Sequence, residues 1–88
     1  SWIERQIASI IYATPPEASF EEAMEFFKKA HGLDKEDIRN MLYIGYCYDE
    51  LGDEKAAADW FNMAINATAE SDSDRSIQAD AKEALDDL

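Results

Sequence analysis

The chain has 88 residues, enough for one small domain with a single hydrophobic core. Hydrophobic residues make up 47% of it and glycine and proline are scarce, so the composition favours an all-α fold over a disordered or β-rich one. The formal net charge of -12 repels phosphate groups, which argues against binding to nucleic acid or an anionic membrane and favours a basic protein partner. The single cysteine, Cys47, cannot form an internal disulfide and predicts a reducing, cytoplasmic location.

Five helices are predicted in chain order, and no apolar run approaches the roughly 20 residues that span a bilayer. The first helix ends near Ala13, because Pro15 and Pro16 disfavour helical backbone before them. The apolar face of this helix consists of Ile3, Ile7, Ile10 and Ile11.

The second predicted helix begins in a capping box formed by Ser19 and Glu22 and runs to about His31. Gly32 is expected to take the left-handed conformation that closes a helix, and His31 to cap the exposed carbonyl groups there. Asp34 is then expected to cap the third helix.

The third predicted helix ends at Leu51, and Gly52 followed by Asp53 again stops one helix and caps the next. The fourth helix extends from about Glu54 to Ala67. A polar run follows, and the fifth helix has a narrower apolar stripe, typical of a terminal helix with one solvated side. The apolar positions of these three helices are Ile38, Met41, Leu42, Ile44 and Tyr48, then Ala57, Phe61, Ala64 and Ile65, then Ile77, Ala81, Ala84, Leu85 and Leu88.

An internal repeat distinguishes a stacked array from a simple helical bundle. Ala23, Phe27 and Ala30 recur 34 residues later as Ala57, Phe61 and Ala64. This is the tetratricopeptide period. The sequence therefore predicts tetratricopeptide-like antiparallel hairpins in a right-handed α-α superhelix, as a single domain over 1–88. Its parts are a degenerate first repeat at 4–37, a second repeat at 38–71 and a capping helix at 72–88.

The second repeat matches the tetratricopeptide signature most closely, as Met41-x2-Ile44-Gly45-x2-Tyr48 followed by Ala57-x3-Phe61. Gly45 and Ala57 remove bulk where two helices are expected to touch, while Tyr48 and Phe61 fill the adjoining volume. The first repeat departs from the signature, with Ile11 where glycine is usual.

Beyond the general repeat, the run from Pro15 to Phe61 resembles the C-terminal domain of the regulator of microtubule dynamics family. The resemblance is carried by the Pro-Pro opening, the Phe-Glu-Glu-Ala helix start and the Leu-Tyr-Ile-Gly-x-Cys-Tyr segment. It implies a non-enzymatic, protein-binding scaffold domain of cytoskeletal proteins at the spindle and spindle pole, acting in microtubule dynamics or chromosome segregation. Relatives at contacts between mitochondria and endoplasmic reticulum imply an alternative, lipid binding or tethering, in which an apolar groove between Leu42 and Tyr46 would hold an acyl chain.

The first helix of each tetratricopeptide hairpin lines a concave groove, so the repeat register predicts a surface that binds a protein or peptide. Arginines at one end and carboxylates at the other would orient a bound peptide. The alternative is that the tyrosines between them are only half-buried and the arginines balance local acids. The predicted groove residues are Arg5, Arg39, Leu42, Tyr43, Tyr46, Asp49, Glu50, Asp80 and Glu83, with Ser76 beside the last two.

No catalytic, metal or cofactor site is predicted. The spacing of Asp72, Asp74, Ser76, Asp80 and Glu83 matches a calcium loop, but Ile77 stands where such a loop needs glycine. Cys47 has no histidine nearby in sequence, so packing is favoured over nucleophilic catalysis.

The acidic charge of the chain bears on its contact with microtubules. Repulsion between like charges should prevent this domain alone from binding the acidic microtubule surface tightly, so microtubule contact is expected through other regions or through a basic partner. Ser71 and Ser73 lie among acidic residues, and the sequence does not show whether they are phosphorylated.

Overall fold

The structure, a computed structural model, describes residues 20–88. It contains α1 (Phe20–Leu33), α2 (Ile38–Glu50), α3 (Glu54–Asn66) and α4 (Asp72–Asp86), with no strand within this range. These helices confirm the all-helical prediction for this part of the chain. The first predicted helix, Arg5 and Ser19 lie outside the described residues. The division at 4–37, 38–71 and 72–88 therefore stays a prediction.

The turn between α2 and α3 confirms the predicted stop-and-cap device. Gly52 adopts a φ of 84°, in the left-handed region that glycine enters without steric cost. The Asp53 amide donates to the Tyr48 carbonyl at 2.9 Å and the Gly52 amide donates to the Asp49 carbonyl at 3.0 Å, which is the Schellman pattern. The Asp53 carboxylate then accepts from the Ala56 amide at 3.1 Å, so one short turn satisfies groups of both helices.

The turn between α1 and α2 corrects two predictions. Gly32 has no positive φ and lies inside α1, which continues to Leu33 because the Asp34 amide still reaches the Ala30 carbonyl at 3.0 Å. The cap of α2 is Asp37, whose carboxylate accepts from the Arg39 amide at 3.0 Å. Asp34 instead accepts from the Glu36 amide and shapes the turn. Either aspartate could cap a helix, and the one directly before the buried segment does so.

The start of α4 depends on a serine cap. The Ser71 hydroxyl accepts from the Asp74 amide at 3.1 Å, and the Asp74 carboxylate accepts from the Glu70 amide at 2.9 Å. The pair resembles a capping box displaced by one residue, and it supplies acceptors for amides at the helix start.

The core is centred on α2, which packs against α1, α3 and α4, while α3 also packs against α4. Every residue from Met41 to Cys47 is buried, which is typical of a helix covered on all sides. The surrounding helices contribute fewer buried positions: Phe27 from α1, Ala57, Phe61 and Ala64 from α3, and Ile77 and Ala81 from α4.

Gly45 lies where α2 and α3 are in contact, as the sequence predicted. A Cβ atom added to Gly45 would stand 2.5 Å from Cε1 and 2.6 Å from Cδ1 of Phe61. Because Phe61 is fully buried, its ring has little space into which it can move. Glycine is therefore required here by the packing of the ring, and Ala57 of α3 is also fully buried.

Candidate functional site

The predicted groove residues on α2 separate into a buried middle and two exposed ends. Leu42, Tyr43 and Tyr46 are 0%, 8% and 7% exposed. The expectation that these three side chains line an open groove is therefore wrong. Arg39 at the start of the helix and Asp49 at its end are exposed.

Aromatic contacts with two other helices explain the burial of the tyrosines. The Tyr43 ring packs on Phe27 of α1 with centroids 5.0 Å apart, and the Tyr46 ring meets Phe61 of α3 edge-on at 5.4 Å. Burial also raises the pKa of the Tyr43 hydroxyl, an effect that the nearby Arg39 charge opposes. The open acyl-chain groove between Leu42 and Tyr46 is likewise absent, because those side chains belong to the core.

The exposed groove residues lie toward the ends of α2 and along α4. Glu50 and Glu83 are exposed, as is Ser76, whereas Asp80 is half-buried. Since α2 and α4 are in contact, the structure brings these two elements together. Their binding to a partner stays a prediction, and Arg5 is outside the described residues.

Carboxylates lie at both ends of the helices, and at one end they occupy the last turns of α2 and α4. Short connections reverse the chain at each step, so α2 and α4 run in the same direction and finish on the same side, where α3 begins. Neither α2 nor α4 has a basic residue in its last turn, although the helix dipole favours cations there. We call this the acidic end, and it comprises Asp49, Glu50, Asp53, Glu54, Glu83 and Asp86.

Arg39 marks the opposite end of α2, ten residues before Asp49, which corresponds to about 15 Å along the axis. Its neighbours Lys35 and Glu36 are exposed, so this end has mixed charge. Arg39 and the carboxylates of Asp49 and Glu50 thus lie at opposite ends of α2, but no open tyrosine-lined groove connects them, and the polarity of a binding surface stays a prediction.

Cys47 has the environment of a packing residue. It is fully buried in α2. Burial, together with the Glu50 carboxylate, raises the pKa of its thiol to about 11. Because the thiolate is the nucleophilic form, a thiol with this pKa is almost wholly protonated and unreactive at neutral pH.

The calcium-like spacing falls on helical residues. Asp72 to Glu83 lies within α4, where Asp72 accepts from Arg75 at 2.6 Å and Asp74 caps the helix start. Within residues 20–88, no three side chains of the His, Cys, Asp and Glu types are placed to share a metal ion.

The predicted capping role of His31 is not seen at its Nδ1 atom, which is buried without a hydrogen-bond partner. The imidazole ring instead meets Trp60 of α3 edge-on, with centroids 5.1 Å apart. This contact was not predicted from the sequence, because the two residues are far apart in the chain.

Three further features of the structure were not predicted from the sequence. The Lys28 ammonium donates to the Tyr48 hydroxyl at 2.6 Å and lies 5.0 Å from the ring centroid. The side-chain amide of Gln78 on α4 donates to carbonyl groups at the end of α3. Phe26 is highly exposed beside the buried Phe27, and the adjacent pair was a usable signal, because both rings cannot face the same core.

The family model described as Regulator of microtubule dynamics protein 1-3 matches residues 1–88. The chain belongs to this family. Its relatives include Regulator of microtubule dynamics protein 1 of Mus musculus, 35% identical over 88 residues, and of Homo sapiens, 34% identical over 85 residues. Regulator of microtubule dynamics protein 3 of Xenopus laevis is 33% identical over 85 residues.

The matched segment is a minor part of these relatives. It covers 99% of this chain but 29% of the mouse protein, and 96% of this chain but 27% of the human and 18% of the frog protein. No solved structure matches the chain. None of the helices in residues 20–88 has the length and apolar character needed to cross a bilayer.

Proposed function

We propose that these residues form a non-enzymatic protein-interaction module within a microtubule-regulating protein. Family membership supports the microtubule role, since the relatives are named regulators of microtubule dynamics. The finer role in the spindle and in chromosome segregation rests on the family resemblance alone. The proposed partner is a protein or peptide with basic residues.

A tetratricopeptide-like arrangement is the proposed scaffold. Each described helix packs on the next, and α2 also packs on α4, as expected when helical hairpins stack. The close crossing at Gly45 falls where the repeat signature places its glycine. The amphipathic α4, buried only at Ile77 and Ala81, suits the end of such an array.

The acidic end is the observation that carries the proposed partner chemistry. Carboxylates at the last turns of α2 and α4 oppose the helix dipoles, so they weaken the fold locally. Burial of a basic segment against Asp49 and Glu50 would offset this repulsion and speed association. A binding role therefore accounts for charges that local stability does not favour.

The thiol chemistry supports binding over catalysis. Cys47 is the single cysteine of the chain, and its pKa of about 11 leaves no useful thiolate near neutral pH. Among residues 20–88, no Asp, Glu, Lys, Arg or His residue belongs to the buried core, so the core offers no enclosed carboxylate and base pair of the kind that catalysis uses.

The test is binding to an oligolysine peptide at low and high salt, measured by calorimetry. The parent chain should bind, and Asp49→Asn with Glu50→Gln should weaken binding severalfold and reduce its salt dependence. The matched double variant Asp34→Asn with Glu36→Gln removes the same charge at the opposite end and should bind more tightly than the first. Equal loss in both variants would show attraction to net charge alone and would overturn the acidic end as the site.

Co-sedimentation with polymerised tubulin tests the microtubule contact. The chain alone is expected to stay in the supernatant, because its charge of -12 opposes the acidic polymer surface. Tight, salt-sensitive pelleting of the parent chain would contradict an indirect contact through a basic partner or other regions.

A further inference from the structure

We draw no further inference here: the strongest candidate, the surface patch on α1 formed by the exposed side chains of Phe26 and Leu33, carries nothing, because nothing in the structure shows what covers it.

Discussion

Helices α1 and α3 carry the same spacing of alanine and phenylalanine but are buried to different extents. Ala57, Phe61 and Ala64 of α3 are all fully buried, whereas Ala23 and Ala30 of α1 remain half-buried around Phe27. The complete burial of the α3 residues follows from its neighbours, because among the described helices α3 lies against both α2 and α4. The spacing of apolar residues along a helix therefore specifies which side can pack, while the neighbouring helices determine how completely that side is buried.

The largest expected effect comes from deleting the central ring of α3. Phe61→Ala should lower the free energy of unfolding by about 3–5 kcal/mol, because it opens a cavity between α2 and α3. The measurement is urea unfolding followed by circular dichroism. The control Phe26→Ala makes the same chemical change on the exposed side of α1 and should shift stability by no more than about 0.5 kcal/mol. A similar loss of unfolding free energy in the two variants would contradict the difference in burial between Phe61 on α3 and Phe26 on α1.

A smaller effect is expected from adding one methyl group at the α2 and α3 crossing. Gly45→Ala should destabilise the fold by about 1–2 kcal/mol, because overpacking against Phe61 outweighs the helical preference of alanine.

Gly32→Ala is the matched substitution in α1. Nothing lies within 4 Å of the added Cβ, and Gly32 is helical, so thermal unfolding should show a stabilisation of about 0.5–1 kcal/mol. If Gly45→Ala also raised the melting temperature, the close approach of α2 and α3 would be contradicted.

The junction of α3 with α4 is expected to contribute about 1 kcal/mol through Gln78. Its amide donates to the carbonyl groups of Ala64, Ile65 and Ala67 at 3.1, 3.2 and 2.7 Å, at the end of α3. Gln78→Ala should therefore lower the unfolding free energy by that amount. Ser76→Ala, an exposed change on α4, should be nearly neutral, and an equally neutral Gln78→Ala would show that water replaces the amide.

The reactivity of the Cys47 thiol measures how completely α2 is covered by the helices that pack on it, α1 and α3 among them. Because the Cys47 thiol is fully buried and its pKa is raised to about 11, alkylation at pH 8 should be at least about 100-fold slower in the folded chain than in the unfolded chain. The folded pKa is raised, so the unfolded state loses its proton first. Stability should then fall as the pH rises from about 9 to about 11, and Cys47→Ala should remove that component. Equal alkylation rates in the two states would show that α2 is not covered.

Local patterns were sufficient to predict much of this architecture. Gly52 and Asp53 act through their own backbone and the adjacent turns, so the end of α2 and the start of α3 were readable from the sequence. The glycine at position 45 was also informative, because it marked a contact between α2 and α3, although the ring that lies directly against it is that of Phe61, which was expected to fill the adjoining volume.

Contacts between distant residues account for what the sequence did not reveal. Helical periodicity placed Tyr43 and Tyr46 on one side of α2, but it could not show that Phe27 and Phe61 would cover them. The packing of His31 on Trp60 depends in the same way on how α1 lies against α3. The predicted open middle of the site was therefore wrong, whereas the charged residues at the two ends of α2 are exposed and their binding role stays a prediction.

The central claim is that α2 and α3 cross at Gly45 with the Phe61 ring directly against the glycine, and proton NMR of the folded chain tests it most directly. We expect strong nuclear Overhauser effects between the Gly45 α protons and the Phe61 ring protons, together with ring-current shifts of those α protons. Absence of these contacts, with ordinary shifts for Gly45, would contradict the crossing and the hairpin built on it.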